Sequence, residues 1–388
     1  MPVHTRLDLY QMQSLPLKAK VTMTRQRIKA WYEHYNGMVY ICFSGGKDST
    51  VLLDIVRRDY PDVPAVFVDT GLEYPEIREF VKRFDNVTIV RPAMNFRKVI
   101  DTYGYPFFSK EVSNCVSGAR KYLRSLQELE SLDRQTDRQT IPNACYMADL
   151  VGIDRRENKE NEKYKELQKG LIPSGSLARL KELKGELKKK NGEPSQFNQV
   201  KYNFMLDAPF EISDVCCDVM KKAPSHKYSK ETGRQPIMAT MCEESRLRTE
   251  KWLQFGCNAF DAKNPASKPM SFWTEQDVYQ YILENNLEIA SVYGDIVDDY
   301  SAAGQCDGQL DFVNKQYPKK TTGCHRTGCM FCGFGCHLEK PGEGRFEKMK
   351  ETHPQIYDYV MRPTDQGGLN YREIIKWINE NGGFNIQT

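Results

Sequence analysis

The stretch Met38-Val39-Tyr40-Ile41-Cys42-Phe43-Ser44-Gly45-Gly46-Lys47-Asp48-Ser49-Thr50 decides how this chain folds. An apolar run leads into two glycines, and a helical pattern, Thr50 to Arg58, leads out. That order is a buried strand, a sharp turn and a helix N-terminus. Two glycines let the backbone approach an anion closely, and the helix presents unpaired N–H groups and its positive dipole end to it. Lys47 adds a mobile positive charge and Ser49 a hydroxyl at the first helical turn. The spacing is not G-x-x-x-x-G-K-[ST], which disfavours a P-loop ATPase or GTPase. The bland alternative is a tight turn with Asp48 or Ser49 as N-cap.

Working outward, Leu17 to Tyr35 reads as a helix leading into the first strand. Strands at 39–43, 65–68 and 87–90 alternate with helices at 50–58 and 75–84, the grammar of a parallel sheet with helices on both faces. Ligands of such sheets sit beyond the carboxyl ends of the strands. Ser44–Ser49 and Asp69-Thr70-Gly71 both lie at such ends, so two motifs converge on one crevice.

From about Asn114 to Asn203 the composition becomes charged and helix-permissive, which predicts a helical insert. Its basic residues, Arg120, Lys121, Arg124, Arg155, Arg156, Arg179 and Lys188 to Lys190, either grip a polyanion or form a solvated helical face. Five segments follow: a helical lead (1–35), the first half of the nucleotide-binding domain (36–113), the insert (114–203), the second half (204–300) and a Cys-rich metal-binding region (301–388).

Overall charge excludes little. Lys plus Arg number 55 against 52 for Asp plus Glu, a formal charge of +3, and 40% of the 388 residues are hydrophobic. Met1 to Arg27 has no signal-peptide core and no run approaches membrane-spanning length, which predicts a cytoplasmic protein with no membrane partner. Twelve cysteines in that compartment should be reduced and serve metal or redox chemistry. Four of them fall within thirteen residues, Cys324, Cys329, Cys332 and Cys336, a pattern that suits zinc or an iron–sulfur cluster by spacing alone.

Ser44-Gly45-Gly46-Lys47-Asp48-Ser49 resembles the signature of the PP-loop, or N-type ATP pyrophosphatase, superfamily. The chain is similar to its phosphoadenosine phosphosulfate (PAPS) reductase-like branch over about residues 36 to 336. The motifs that carry this are Val68-Asp69-Thr70-Gly71, Cys216-Cys217 with Lys221-Lys222-Ala223-Pro224, Glu244-Ser245 with Arg248, Trp273-Thr274-Glu275-Gln276-Asp277-Val278, and Cys329-Met330-Phe331-Cys332. The resemblance implies an adenine nucleotide alpha hydrolase-like α/β fold. It also implies a 4Fe–4S cluster on Cys216, Cys217, Cys329 and Cys332, with zinc as the alternative and Cys324 and Cys336 as spare thiols or replacement ligands.

Departures from the branch are as informative. Reductases of an already activated sulfonucleotide usually lack the lysine that stands here as Lys47. Met241 and Ala239 stand where an arginine and a glycine are expected, and the tail Gly382 to Thr388 lacks a Glu-Cys-Gly-Leu-His segment. ATP is therefore the expected nucleotide. Ser44 to Ser49 with Asp69, Thr70 and Gly71 would bind it, and Mg2+ would bridge its phosphates near Asp48 and Asp69. Lys47, Asp48, Lys222 and Arg248 would carry the chemistry, cleavage at the α-phosphate to adenylylate an acceptor. The superfamily resemblance extends this to iron–sulfur-dependent thiolation of a nucleobase or nucleic acid, with a sulfur or electron donor protein as partner and the oligomeric state open. The alternatives are a sulfonucleotide reductase using Cys336 beside His337, an adenylyltransferase of the FAD-synthetase or ATP-sulfurylase kind, and a non-catalytic nucleotide-binding module.

Overall fold

The computed structural model describes residues 4–135, 175–300 and 317–388 and divides the chain into two compact units. The first comprises residues 1–96 and 217–330, the second residues 97–216 and 331–388. Arg155 and Arg156 of the expected insert lie outside the described residues.

The first unit is built on a six-stranded sheet of order β3-β2-β1-β5-β7-β6, with β1 (Val39–Cys42), β2 (Ala65–Val68), β3 (Val87–Val90), β5 (Gln235–Met238), β6 (Asn258–Ala259) and β7 (Ala266–Ser267). All neighbours are parallel except β6 and β7 at the edge. The central position of β1 follows from its composition, because an all-apolar strand needs cover on both faces. Val39, Ile41 and Phe43 join a core with Ile28 and Trp31 of α2 (Leu17–His34) and with Val51, Leu52 and Ile55 of α3 (Lys47–Asp59). Tyr40 points the other way and stacks edge-on against Tyr228 of α8 (Ala223–Thr232), ring centroids 5.0 Å apart. Helices thus cover both faces, as the strand spacing predicts.

A further short helix, α1 (Arg6–Gln13), precedes α2, and α4 (Pro75–Val81) follows β2. The last two helices of this unit are α9 (Arg246–Phe255) and α10 (Glu275–Glu284). The start of α10 explains the Trp-Thr-x-x-Asp-Val pattern physically. Thr274 and Asp277 form a capping box, and the Asp277 carboxylate also takes both oxygens to the buried Lys20 ammonium of α2, at 2.8 and 2.6 Å.

The second unit is held by a two-strand parallel pair, β4 (Phe107–Phe108) with β10 (Gly333–Phe334), and by α6 (Lys110–Gln135), α7 (Ser176–Lys184) and α13 (Tyr371–Gly382). Gly333 is a glycine for space, since a Cβ there would meet the Pro106 carbonyl at 2.6 Å. Part of the expected insert therefore belongs to one compact body with the C-terminal region. Several of its basic residues serve that body. Arg120 donates to the carbonyls of Ala208 and Phe210, Arg124 pairs with Glu211, and Arg179 with Glu182. Lys188, Lys189 and Lys190 stay exposed.

Candidate active site

At the carboxyl end of β1 the chain turns through Ser44-Gly45-Gly46 into α3. Gly45 has φ +72° and a Cβ there would sit 2.7 Å from Val81 and 2.8 Å from Ile77, so both conformation and space demand glycine. The amide N–H groups of Ser44, Gly46 and Lys47 donate to hydroxyl oxygens, those of Ser49, Ser44 and Tyr293, at 3.2, 3.4 and 3.2 Å. Ser49 donates in turn to the Gly46 carbonyl at 2.9 Å, so its hydroxyl braces the loop.

Lys47 is not a mobile solvent-side charge. Its side chain is 4% exposed, and the ammonium lies 3.0 Å from Glu275 and 3.6 Å from Asp48 and donates to the His325 carbonyl at 3.2 Å. Burial pulls its pKa down, but Asp48 and Glu275 outweigh that and hold it raised. Burial raises the Asp48 carboxyl, only partly offset by Lys47, and its Oδ1 is enclosed without a hydrogen-bond partner. Burial also acts on Glu275, where Lys47 prevails and the carboxyl is lowered. Arg326 adds positive charge that acts on both carboxylates.

The second motif lies beside the first. Asp69, 8% exposed, is paired with Arg78 at 3.2 Å and Arg91 at 3.3 Å, and it accepts from the Gly71 amide. These two guanidiniums occupy both oxygens of Asp69, whereas Asp48 Oδ1 makes no hydrogen bond with the described residues and has the Lys47 ammonium at 3.6 Å beside it. Thr70 is tied to Glu73 through its amide and hydroxyl. The 324–330 segment packs here too: Met330 N–H donates to the Leu72 carbonyl, and Thr327 hydroxyl bonds Tyr293 at 2.5 Å. Between β1 and β2 opens a pocket of about 130 Å3 lined by Phe43, Ser44, Val66, Val68, Tyr74 and Lys221.

Lys221, not Lys222, reaches this pocket. A π-helical turn over Asp218–Lys222 explains the exchange, because its i→i+5 bond, Ala223 N–H to Asp218 carbonyl, moves the side-chain register off the α-helical one. Lys222 is exposed and pairs with Asp218. Burial pulls Lys221 down, but Cys329, Glu73 and Cys217 keep its pKa raised. Arg248, at the first turn of α9, pairs with Glu244. Burial lowers its pKa, as does Arg326, while Asp48 opposes them, which sets its charge within reach of the loop. Lys221, Glu275 and Arg326 were legible in motifs that drew attention to their neighbours. Tyr293 left no such signal.

The cysteines divide between the units. Cys217 and Cys329 surround Lys221 in the first, and Cys216, Cys332 and Cys336 act on the phenol of Tyr371 in the second. Among the described residues no three His, Cys, Asp or Glu side chains gather as a metal-holding group. Cys336 is 2% exposed, donates to the Gly333 carbonyl at 2.9 Å, and burial pushes its thiol up to about 12. A thiol held this way is less nucleophilic than an exposed one of ordinary pKa. Cys324 is half-buried, with its backbone N–H on the Val292 carbonyl.

Residues 38–139 and 181–333, well over half of the chain, match the sequence pattern of the phosphoadenosine phosphosulfate reductase domain. The chain belongs to that family. It is 29% identical to an adenosine 5'-phosphosulfate reductase of Halalkalibacterium halodurans over 28% of this chain and 48% of that protein. It is 28% identical to an uncharacterized protein of Methanocaldococcus jannaschii over 27% of this chain and 28% of the other. The chain thus spans less than half the length of these relatives. Among solved structures, a phosphoadenylyl-sulfate reductase from Candida auris in a phosphate complex aligns with 74% of this chain and 97% of its own, at 12% identity and a TM-score of 0.32. No helix of the described residues is long and apolar enough to cross a membrane.

Proposed function

We propose that this PAPS reductase-family chain binds ATP in the crevice of its first unit and cleaves it at the α-phosphate, adenylylating an acceptor. The observation that carries the reading is the buried Lys47 ammonium at the N-terminus of α3, beneath a loop whose amides meet hydroxyl oxygens. Phosphate oxygens can replace those hydroxyls as acceptors, and the helix end favours negative charge. Lys47 then neutralises the leaving pyrophosphate as the acceptor oxygen bonds the α-phosphorus and the bond to the β-phosphate oxygen breaks. Asp48 would hold a Mg2+ ion, which neutralises polyphosphate charge when bound. Arg248 holds the acceptor, and Phe43, Val66 and Lys221 flank the nucleoside. Catalysis of this kind is positioning and charge neutralisation, with little covalent work for the protein. Pyrophosphate release from ATP by the purified chain tests the reading; a chain that binds no ATP overturns it.

Sulfur transfer to a nucleobase or nucleic acid, with a sulfur or electron donor protein, is the finer form of this proposal. It rests on Cys216, Cys217, Cys329 and Cys332 as 4Fe–4S ligands, with zinc as the alternative. Among the described residues no three His, Cys, Asp or Glu side chains gather as a metal-holding group, and the four thiolates would supply soft ligands for the cluster when it is bound. Anaerobically purified chain should contain iron and acid-labile sulfide, and Cys217→Ser or Cys329→Ser should lose both. Stoichiometric zinc overturns the cluster in favour of the zinc alternative, and no metal overturns the ligand set and favours a plain adenylyltransferase. The likeness to an adenosine 5'-phosphosulfate reductase favours a second reading, sulfonucleotide reduction. Thioredoxin-dependent sulfite release from PAPS would establish it, against the buried, high-pKa thiol of Cys336.

A further inference from the structure

A second cavity of the first unit, about 130 Å3, opens between α9 and the β6–β7 pair. That is roughly ten times the ~10–15 Å3 one water needs. Arg248, Lys251 and Lys268 line it with Thr240, Asn264 and Ser271, and no Asp or Glu contributes to its wall. The two cysteines present, Cys242 and Cys257, add no negative charge, because burial raises both thiols, Cys242 to about 12. Arg248 has Glu244 as partner. The ammonium groups of Lys251 and Lys268 make no ion pair or hydrogen bond with the described residues. Burial lowers the Lys268 pKa, and Lys251 and Arg248 lower it further.

Lys251 is exposed, Lys268 is half-buried and Arg248 is half-buried beside Glu244, so the three charges share one open cavity and repel one another, a cost that an anion placed among them removes. We propose that this cavity binds a small tetrahedral oxyanion, sulfate or phosphate. Thr240 lies just past the carboxyl end of β5, on the side of a parallel sheet where ligands bind. The cavity's wall shares no residue with the pocket between β1 and β2, and Arg248 is the one side chain it has in common with the proposed acceptor site. Its position beside Arg248 would present the anion to whatever occupies the crevice.

The test is equilibrium dialysis of the full chain against radiolabelled sulfate and phosphate, with ATP affinity measured on the same samples. Wild type should bind sulfate or phosphate saturably. A Lys251→Gln/Lys268→Gln double variant should bind it at least tenfold more weakly, whereas Lys268→Arg, which keeps the charge, should retain binding and serves as the folding control. Equal anion affinity in wild type and double variant overturns the proposal, as does absence of saturable binding in wild type. Weakened ATP binding with sulfate affinity unchanged also overturns it, assigning the lysines to the nucleotide. Failure of ATP binding in every sample, with sulfate binding lost only in the double variant, supports this site and overturns the nucleotide reading instead.

Discussion

Lys47 and Asp48 are adjacent residues whose burial serves different ends. Lys47 balances Asp48 and Glu275, so Lys47→Ala leaves two carboxylates without their cation. It should lower ATP-dependent pyrophosphate release by about 100-fold or more, the scale of removing one charge-stabilising group. It should also cost about 1–3 kcal/mol of stability, read from denaturant unfolding, because buried polar partners lose their mate. Asp48→Asn should separate function from stability. The folded-state pKa of Asp48 lies above its ordinary 3.8, so the charged form destabilises the fold at every pH above the raised value. That penalty disappears below 3.8. Asp48→Asn should therefore melt higher than wild type at neutral pH, with the gap closing as pH falls through the raised value, while pyrophosphate release is lost. A lower melting temperature at neutral pH would contradict this account.

Among the elements, the junction of α2 and α10 carries the most exposed dependence on a single pair. Lys20 is 2% exposed and its ammonium meets the Asp277 carboxylate, while Asp277 also closes the Thr274 capping box. Lys20→Met keeps the volume but leaves a buried carboxylate unpaired, at about 3–5 kcal/mol. Urea unfolding should show that loss, and Lys20→Met/Asp277→Leu should recover much of it, less about 1 kcal/mol for the missing cap. The π turn over Asp218–Lys222 shows how an element decides a residue's role, since it gives Lys221 the pocket and Lys222 the solvent.

At the scale of the whole molecule, Lys188, Lys189 and Lys190 form an exposed run, with Lys189 paired to Glu193, that stays available to a polyanion while Arg120, Arg124 and Arg179 are committed to internal partners. If RNA or DNA binds there, log affinity should fall with log salt at about −0.9 per duplex phosphate neutralised. Glutamate at all three positions should flatten that slope; an unchanged slope removes the patch. The sequence by itself determined three of the sheet's six strands, their parallel connections and the crevice at their ends, because apolar strands, helix periodicity and a glycine pair are local signals, whereas β5, β6 and β7 were not legible in it. It placed β2 and β3 to the residue. Only tertiary structure decided which charges fill the site. Glu275 lies more than two hundred residues from Lys47, and His325 and Tyr293 reach the same loop from equally far. Burial raises the pKa of Asp48 and of Cys336, and burial is a property of packing that no run of residues contains.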